Sequence, residues 1–324
     1  MTTAPIALTL GDPAGVGPEI IAGAWRALRA TGPSFVVIGD AETLRRTDTP
    51  VELVNRPQDV RFDDALPVLN HPLERRVVPG VADPTSAAAI MAWIEIAVRL
   101  AMEDNVSAVV TAPIAKSLLY AAGFKFPGHT EFLAEITGGA TPVMMLTAAG
   151  LRCALVTIHE PLSKAPGLIT SERIIATARI TVAALERDFG IPQPRLAVAA
   201  LNPHAGESGA LGEEETAIIA PAIEALRASG IEASGPHPAD TLFHPEARAR
   251  YDAALCMYHD QALIPVKMLD FWGGVNVTLG LPIVRTSPDH GVAYNLAGTG
   301  GARSDSLIAA LRLAAEIASN RSKH

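Results

Sequence analysis

The sequence predicts an α/β fold with mostly parallel sheets, and two observations support this prediction. Short apolar runs alternate along the chain with longer amphipathic stretches, an arrangement typical of strand–helix–strand units. Of the 324 residues, 49% are hydrophobic but only 5% are aromatic, so Ala, Val, Leu and Ile must fill the core. Such side chains suit helices packed on a parallel sheet. A chain of this length is ordinary for two domains.

Seven apolar runs predict buried strands, and three longer stretches predict helices. The predicted strands are residues 6–10, 35–38, 108–110, 143–146, 153–156, 196–201 and 253–257. The predicted helices are residues 86–102, 171–187 and 214–228. Residues 41–83 are rich in Pro, Asp and Arg, and they predict irregular surface structure.

Charge and cysteine content exclude several classes of protein. The chain has 26 basic and 34 acidic residues, a net charge of −8, which argues against general nucleic-acid binding. Cys153 and Cys256 both lie in apolar runs, which indicates buried free thiols rather than a disulfide framework. We find no basic-then-apolar leader and no run of about 18 apolar residues that could span a membrane. These features predict a soluble cytoplasmic protein.

Three histidines follow predicted strands. They are His159 after residues 153–156, His204 after residues 196–201 and His259 after residues 253–257. Ligands of open α/β sheets bind beyond the carboxyl ends of the strands, and three protein ligands with one open position are typical of a catalytic metal site. A metal site is one interpretation, and ordinary loop histidines are the other. Asp240 and Asp260 could orient the imidazoles or join the ligands.

Residues 126–132 predict a turn that leads into a helix with Thr130 as its N-cap. The free N–H groups at a helix N-terminus favour an anion, and His129 and Thr130 can add side-chain donors. Simple capping of the helix is the alternative interpretation.

Lys267, Asn276 and Arg285 stand in a stretch that carries few charges. Arg can hold a phosphate or carboxylate through two parallel hydrogen bonds, and Lys supplies a compact positive charge. These residues therefore indicate an anion site, with ordinary surface solvation as the alternative.

Two glycine-rich segments lie near the two ends of the sequence. Residues 11–20 lack the G-x-G-x-x-G spacing of a dinucleotide fingerprint, so they predict only a tight turn into a helix with Pro18 in its first turn. Residues 289–301 include Asp289, His290, Gly291 and Gly298. This second segment could allow close approach of a cofactor, or it could be a flexible loop.

Several motifs together make the chain resemble the 4-hydroxythreonine-4-phosphate dehydrogenase family from end to end. The motifs are GDPAGVGPEI, TAPIAKSLL, GHTEF, LNPHAGE, ADTLF, MYHDQ, VNVTLGLPIVRTS and DHG. The opening motif is also similar to a loop of isocitrate and isopropylmalate dehydrogenases. The resemblance implies their two-domain α/β/α sandwich, with residues 1–125 and 277–324 in one domain, residues 126–276 in the other, and the active site in the cleft.

The resemblance also implies roles for individual residues. The residues implied to bind a divalent metal, such as zinc, cobalt or magnesium, are His159, His204 and His259. The residues implied to bind the phosphorylated substrate are His129, Thr130, Lys267, Asn276 and Arg285. The residues implied to lie against NAD or NADP are Asp289, His290, Gly291 and Gly298. Candidates for the catalytic base and its neighbours are Lys267, Asp260 and Asp240. Val292 departs from the threonine usual after Asp-His-Gly in this family.

The implied activity is oxidation of 4-phosphooxy-L-threonine to a β-keto acid that loses carbon dioxide, in pyridoxal phosphate synthesis. The family further implies a homodimer with metal ligands from both subunits, and no nucleic-acid or membrane partner is expected. Three alternatives stay open. They are a dehydrogenase of 4-phospho-threonate or erythronate, a cis-dihydrodiol dehydrogenase, and a non-catalytic sensor of a metal or metabolite.

Overall fold

The computed structural model describes residues 4–323 except 122, 124, 125, 127 and 128, and it leaves out the side chains of 121 and 129–131. The chain forms two compact units, Met1–Pro142 with Leu281–Lys323, and Val143–Gly280. Each unit is built from a mostly parallel sheet with helices packed on it. The predicted α/β class is therefore confirmed.

The first unit contains six strands, all paired in parallel in the order β3-β4-β2-β1-β5-β12. These strands are β1 (Ile6–Thr9), β2 (Phe35–Gly39), β3 (Val51–Leu53), β4 (Leu66–Asn70), β5 (Val109–Thr111) and β12 (Arg285–Pro288). Its helices are α1 (Gly17–Leu28), α2 (Ala41–Arg45), α3 (Ala87–Met102), α4 (Lys116–Ala121), α5 (His129–Ile136) and α11 (Asp305–Arg321). All four residues of β1 are buried, as expected for the centre of a covered parallel sheet.

One stretch of this unit, Pro84–Met102, is long and apolar enough to cross a membrane by length and composition. Its helix α3 packs on β1, β2 and β5 and buries Trp93 and Ile94 in the core. These contacts identify α3 as a core helix.

The second unit contains six strands in the order β11-β6-β7-β10-β8-β9. These strands are β6 (Val143–Ala148), β7 (Leu151–Leu155), β8 (Leu196–Ala199), β9 (Ala233–His237), β10 (Ala253–Cys256) and β11 (Val275–Leu279). The pairs β11–β6 and β6–β7 are antiparallel, and the other three pairs are parallel. The helices are α6 (Ser171–Arg187), α7 (Ala220–Ala228), α8 (Ala239–Leu242), α9 (Pro245–Arg248) and α10 (His259–Leu269). Cys153 and Cys256 are buried free thiols in this unit, as predicted.

The seven predicted strands and the helices at 86–102 and 171–187 are all present, and their ends differ from the predicted ones by at most two residues. The helix predicted at 214–228 begins with a turn of π-helix, Glu215–Ile219, and continues as α7. The prediction of irregular structure for residues 41–83 was wrong, because α2, β3 and β4 lie there. Pro67 interrupts the short apolar run of β4, so the sequence pattern does not distinguish this strand from a loop.

The two units also differ from the predicted domain boundaries. Residues 126–142 belong to the first unit, where α5 packs on α3. Residues 277–280 belong to the second unit, because β11 pairs along its whole length with β6. Local composition carries no signal for either contact, since both partners are distant in sequence.

Candidate functional site

The three predicted histidines follow three neighbouring parallel strands of the second unit. β10 lies between β7 and β8 in the sheet. Backbone pairing continues beyond β7 and β10, because the N–H groups of Val156 and Thr157 donate to the carbonyls of Cys256 and Met257 at 2.9 and 3.2 Å. The loops that carry His159 and His259 therefore leave the sheet side by side.

The imidazoles of His159 and His259 lie together, with ring centroids 5.6 Å apart. The Nδ1 of His259 is 2.7 Å from the Oδ1 of Asp260. A carboxylate only accepts hydrogen bonds, so Nδ1 is the donor in this pair and Nε2 is the ring nitrogen left to bind a metal. A carboxylate that orients an imidazole in this way is the usual support of a histidine metal ligand. Two imidazoles, one of them supported by a carboxylate, are therefore groups of the kind that bind a divalent metal.

The two histidines line a cavity of about 250 Å³. Its other lining residues are Ile158, Glu160, Leu162, Ala165, Tyr258 and Asp260. Polar groups gathered in a concave site with apolar walls are typical of small-molecule binding.

His204 lies in a run of left-handed backbone. The φ angles of His204, Ala205, Glu207 and Ser208 are 52°, 53°, 43° and 58°, and Gly206 between them has φ 77°. Left-handed conformation costs roughly 1–2 kcal/mol for each non-glycine residue. Such a run persists only where the surrounding structure holds it, and strain of this kind is concentrated at functional sites.

Glu215 provides that support. It is 2% exposed, and its Oε1 accepts from the backbone N–H groups of Leu201 and Asn202 at 2.8 and 2.7 Å. The side-chain amide of Asn202 donates to Glu215 Oε2 at 2.9 Å and to Glu214 Oε2 at 2.7 Å. The carboxylate therefore fixes the two residues that lead into Pro203 and His204.

No group of three His, Cys, Asp or Glu side chains that could hold a metal is found among the residues that the structure describes. His159 and His259 are brought together, whereas His204 is exposed and does not complete a three-ligand group with them. The metal role of these three residues remains a prediction.

The candidate catalytic residues occupy three positions in the second unit. The side chain of Asp260 accepts a hydrogen bond from His259 and is 70% exposed. Lys267 lies on the same helix, α10, with its Nζ 5.3 Å from the ring centroid of Phe271. Asp240 is exposed in the first turn of α8.

Arg285 begins β12 in the first unit and is 3% exposed. Its Nη2 donates to the Oγ1 of Thr111 at 2.7 Å. Burial lowers the pKa of Arg285 to about 10, so the guanidinium remains charged at neutral pH. A buried cation is costly unless an anion or hydrogen bonds compensate it, which is compatible with the predicted anion site.

Asn276 lies on β11, and its side-chain oxygen is buried without a hydrogen-bond partner in the described part of the chain. An unsatisfied buried amide is consistent with a ligand contact. The side chains of His129 and Thr130 lie outside the described residues, and their role in binding the substrate stays a prediction.

The two glycine-rich segments meet in the first unit. The N–H of Val16 donates to the carbonyl of Val292 at 2.9 Å, and the hydroxyl of Tyr294 donates to the Oδ2 of Asp12 at 2.5 Å. The N–H of Gly298 donates to the Oε1 of Glu19 at 2.7 Å. The first segment forms the predicted tight turn, and it also supports the second.

Within the second segment, the four predicted cofactor residues differ in their surroundings. The N–H of Asp289 donates to the Oγ of Ser306 at 3.1 Å, and Nδ1 of the exposed His290 is 3.0 Å from the carbonyl oxygen of Gly291. Gly298 has φ +80° and lies beside Pro79, so its backbone conformation requires glycine. Gly291 has open space around it.

Sequence reasoning missed Glu215 and Asn202 as supports of the His204 loop. Asn202 directly precedes Pro203 and His204, which was a usable signal. The contribution of Glu215 could not be found from spacing, because Glu213, Glu214 and Glu215 are adjacent and only the fold decides which one turns inward.

Comparison with known proteins identifies the family of this chain. Residues 32–314 match the family described as "Pyridoxal phosphate biosynthetic protein PdxA". A 4-hydroxythreonine-4-phosphate dehydrogenase of Caulobacter vibrioides is 64% identical over 99% of both chains, and one of Maricaulis maris is 55% identical over 98% of both.

Solved structures of dehydrogenases are also similar to this chain. The crystal structure of 4-hydroxythreonine-4-phosphate dehydrogenase from Klebsiella pneumoniae matches with a TM-score of 0.88 at 40% identity, covering 97% of this chain and 99% of that one. A terephthalate 1,2-cis-dihydrodiol dehydrogenase from Burkholderia xenovorans matches with a TM-score of 0.65 at 29% identity, covering 97% and 98%. By its full-length similarity, the chain belongs to the 4-hydroxythreonine-4-phosphate dehydrogenase family, the oxidoreductases of pyridoxal phosphate biosynthesis.

Proposed function

We propose that this protein oxidises 4-phosphooxy-L-threonine with NAD or NADP, in a divalent-metal-dependent reaction whose β-keto acid product decarboxylates to 3-amino-2-oxopropyl phosphate. The observation that carries the proposal is the pair of imidazoles of His159 and His259, 5.6 Å apart in a cavity, in a chain 64% identical to a named relative. A nicotinamide cofactor and a divalent metal are implied by membership of this dehydrogenase family.

In this proposal the metal is held by His159, His204 and His259, and Asp260 keeps His259 in the tautomer that presents Nε2. A metal at this position supplies Lewis acidity, which lowers the pKa of a substrate hydroxyl. Zinc, cobalt and magnesium all stay open, because imidazoles favour the first two and added oxygen ligands would admit the third.

The phosphorylated substrate is bound, in this proposal, by the residues that the resemblance implies. They are His129, Thr130, Lys267, Asn276 and Arg285. The buried positive charge of Arg285 supports a tightly held anion, since burial removes competing water. Lys267 or Asp260 would accept the proton of the substrate hydroxyl, with Asp240 as a further acidic candidate. Asp289, His290, Gly291 and Gly298 would hold the nicotinamide, which would supply the hydride acceptor.

We further propose a homodimer in which both subunits contribute metal ligands. Helix α10 begins with His259 and then exposes Ile264 and Met268, 65% and 77% accessible, followed by Phe271 and Trp272. Residues four apart share one helix face, so Ile264 and Met268 form an apolar surface on the face that begins with Asp260, next to His259. Exposed apolar surface of this kind is typical of protein–protein interfaces.

Hybrid dimers test the shared site. Single variants His159→Ala, His204→Ala and His259→Ala are mixed in pairs after dissociation and reassociation. If the ligands come from both chains, at least one pair forms hybrids with one intact site and recovers up to roughly a quarter of wild-type turnover. Absence of recovery in every pair, with hybrids shown to form, contradicts sharing.

The activity is tested by removing metal, restoring zinc, cobalt or magnesium, and following reduced nicotinamide with 4-phosphooxy-threonine and 4-phospho-threonate. Metal-dependent turnover that prefers the amino substrate supports the proposal. Preference for 4-phospho-threonate supports the second candidate, a sugar-acid dehydrogenase. The dihydrodiol candidate has weaker support, since its solved relative is less similar in TM-score and identity than the Klebsiella enzyme.

A further inference from the structure

A second concave site lies in the first unit. It is a cavity of about 470 Å³ at the carboxyl ends of β2 and β4, where the N–H of His71 donates to the carbonyl of Gly39 at 2.9 Å. Four of its lining residues are arginines, and we call the site the arginine pocket: Arg45, Arg46, Arg75 and Arg76. The carboxyl edge of parallel strands is where ligands of α/β sheets bind.

Three carboxylates, Asp40, Glu42 and Glu74, line the pocket beside its four arginines, but they do not form ion pairs with all four. Arg45 pairs with Glu42, and Arg75 pairs with Asp83 at 2.9 Å. The carboxylate of Asp40 accepts from the N–H and hydroxyl of Thr43 at 2.8 and 2.6 Å. The remaining two arginines, Arg46 and Arg76, form no ion pair with any described residue.

Arg46 is held in place by neutral groups. Its Nη1 donates to the carbonyl of Val77 at 2.7 Å and its Nη2 to that of Pro13 at 3.4 Å. Burial lowers the pKa of Arg46, the nearby charge of Arg76 lowers it further, and the charge of Asp40 offsets part of this shift. Carbonyls orient a guanidinium but do not neutralise it, so an anion beside Arg46 and Arg76 would relieve their repulsion.

Arg46 links the pocket to the first glycine-rich segment through a hydrogen bond. Pro13, which accepts from Arg46, lies in the turn after β1, and the N–H of Gly80 donates to the carbonyl of Ala14 at 2.8 Å. The same turn contacts Val292 and Tyr294 in the segment where we propose the nicotinamide.

We infer that the arginine pocket binds the phosphate of a small molecule beside Arg46 and Arg76. That phosphate comes either from the nicotinamide dinucleotide, a source that rests on the proposed function, or from a free phosphorylated compound. Planar guanidinium groups that converge in a cavity are the arrangement that proteins use for phosphate esters.

Calorimetric titration of the full-length protein tests this inference without turnover. NADP, NAD and inorganic phosphate are titrated into wild type, Arg46→Gln, Arg76→Gln and the control Arg61→Gln, an exposed arginine outside the pocket. The expected result is that Arg76→Gln weakens at least one of the three ligands about tenfold or more, while Arg61→Gln binds as wild type does.

The three titrated ligands distinguish the possible sources of the bound phosphate. A loss confined to NADP identifies the ribose 2′-phosphate, an equal loss for NADP and NAD identifies the diphosphate, and a loss for inorganic phosphate alone identifies a free phosphate compound. Binding by Arg46→Gln and Arg76→Gln equal to that of Arg61→Gln for all three overturns the inference. Since turnover is measured separately, an active enzyme with unaffected pocket variants would reject the pocket and leave the proposed function standing.

An independent observation supports a second inference, which rests on the proposed metal site. The buried Glu215 joins the backbone of Leu201 and Asn202 just before the left-handed run at His204. The carboxylate of Glu215 also lies close to Gly206, because a Cβ added to Gly206 would be 2.7 Å from Glu215 Oε2. We propose that Glu215 is a positioning residue, which holds the His204 imidazole where the metal binds.

Metal titration of the metal-free protein, followed by the visible absorption of cobalt, tests this role. Glu215→Ala should weaken cobalt affinity about tenfold, the loss usual for an outer support of a ligand, and Glu215→Gln should restore part of it because its oxygen can still accept. Glu213→Ala, an exposed neighbour, serves as the matched control. Leu226→Ala, buried in α7, controls for lost stability alone.

Leu226→Ala shows how much cobalt affinity is lost through reduced stability alone. If Glu215→Ala binds cobalt as wild type does, although it is as destabilised as Leu226→Ala, the positioning role is overturned. If wild type itself binds no cobalt, the proposed metal site fails instead, so the two failures are distinguishable.

Discussion

Two strand-to-helix loops of this protein reach unusual backbone conformations by different means. The loop after β1 uses glycine where φ is positive, at Gly11 (φ +71°). The loop after β8 places Ala205, Glu207 and Ser208 in left-handed conformation and relies on the buried carboxylate of Glu215. In the first loop the conformation is encoded locally, and in the second it is imposed by tertiary contacts.

A buried carboxylate binds backbone N–H groups of each loop, but the sequence distance between the carboxylate and those N–H groups differs. Asp12 lies within the first loop, accepts from the N–H of Ala14 at 3.0 Å, and also accepts from the Tyr294 hydroxyl. Glu215 lies more than ten residues after the backbone groups that it binds. Where a glycine of the loop itself allows the conformation, replacing that glycine should lower the free energy of unfolding. Where tertiary contacts impose a strained conformation, relieving the strain should raise the free energy of unfolding.

The largest effect is expected for Gly11→Ala. A Cβ there would lie 2.6 Å from the carbonyl oxygen of Pro113, and φ is positive, so both strain and a backbone clash oppose it. We expect a loss of about 3 kcal/mol in the free energy of unfolding, measured by urea denaturation.

Gly138→Ala is the matched control for Gly11→Ala. Gly138 has φ +100° but nothing within 4 Å of the added Cβ, so only backbone strain is introduced. It should lose about 1 kcal/mol. Equal losses at both positions would show that the clash with Pro113 is absent.

A smaller effect is expected for Tyr294→Phe, which removes one of the two hydrogen bonds that the side-chain carboxylate of Asp12 accepts. Asp12 is 0% exposed, so the lost bond leaves a buried oxygen unsatisfied. We expect a loss of about 2 kcal/mol in urea denaturation. A loss below that of an exposed control, Tyr120→Phe, would mean that water replaces the hydroxyl.

The same bond predicts a pH dependence. Burial, and then the hydrogen bond to Asp12, raise the pKa of Tyr294 above its ordinary value of 10. Because the folded state holds this proton more tightly, its stabilisation is present below pH 10 and is lost as the pH rises above it. Tyr294→Phe should therefore show a shallower alkaline decrease in stability than wild type, and parallel curves would contradict the shift. Tyr251 contributes equally to both curves, since its pKa is also raised by burial.

The smallest effect is expected for Ala205→Gly, which should stabilise the protein. Glycine adopts φ 53° without penalty, and the relief exceeds the added flexibility of the unfolded chain by about 0.5–1 kcal/mol. Ala210→Gly is the control, because Ala210 has φ −68° and should lose stability by a similar amount. Destabilisation by both changes would mean that Ala205 is not left-handed in solution.

Particular residues show how far sequence reasoning reached. The runs ending before His159, His204 and His259 predicted strands, and those strands are neighbours in one sheet. The helix at 171–187 begins and ends where predicted, since Thr170 caps it through the N–H of Arg173 at 3.2 Å. Strand β4 was missed, because its apolar run is interrupted by Pro67, and only pairing with β2 and β3 makes it a strand.

The sequence by itself determined the α/β class, the strands that precede the histidines and the glycine-dependent turn at Gly11. Each depends on local periodicity or on the freedom of a single residue, which are properties of neighbouring positions. Only the tertiary structure decided that His159 lies beside His259, that Glu215 rather than Glu213 or Glu214 turns inward, and that four arginines share a pocket. These features require residues far apart in sequence to meet, and only packing of the sheets brings them together.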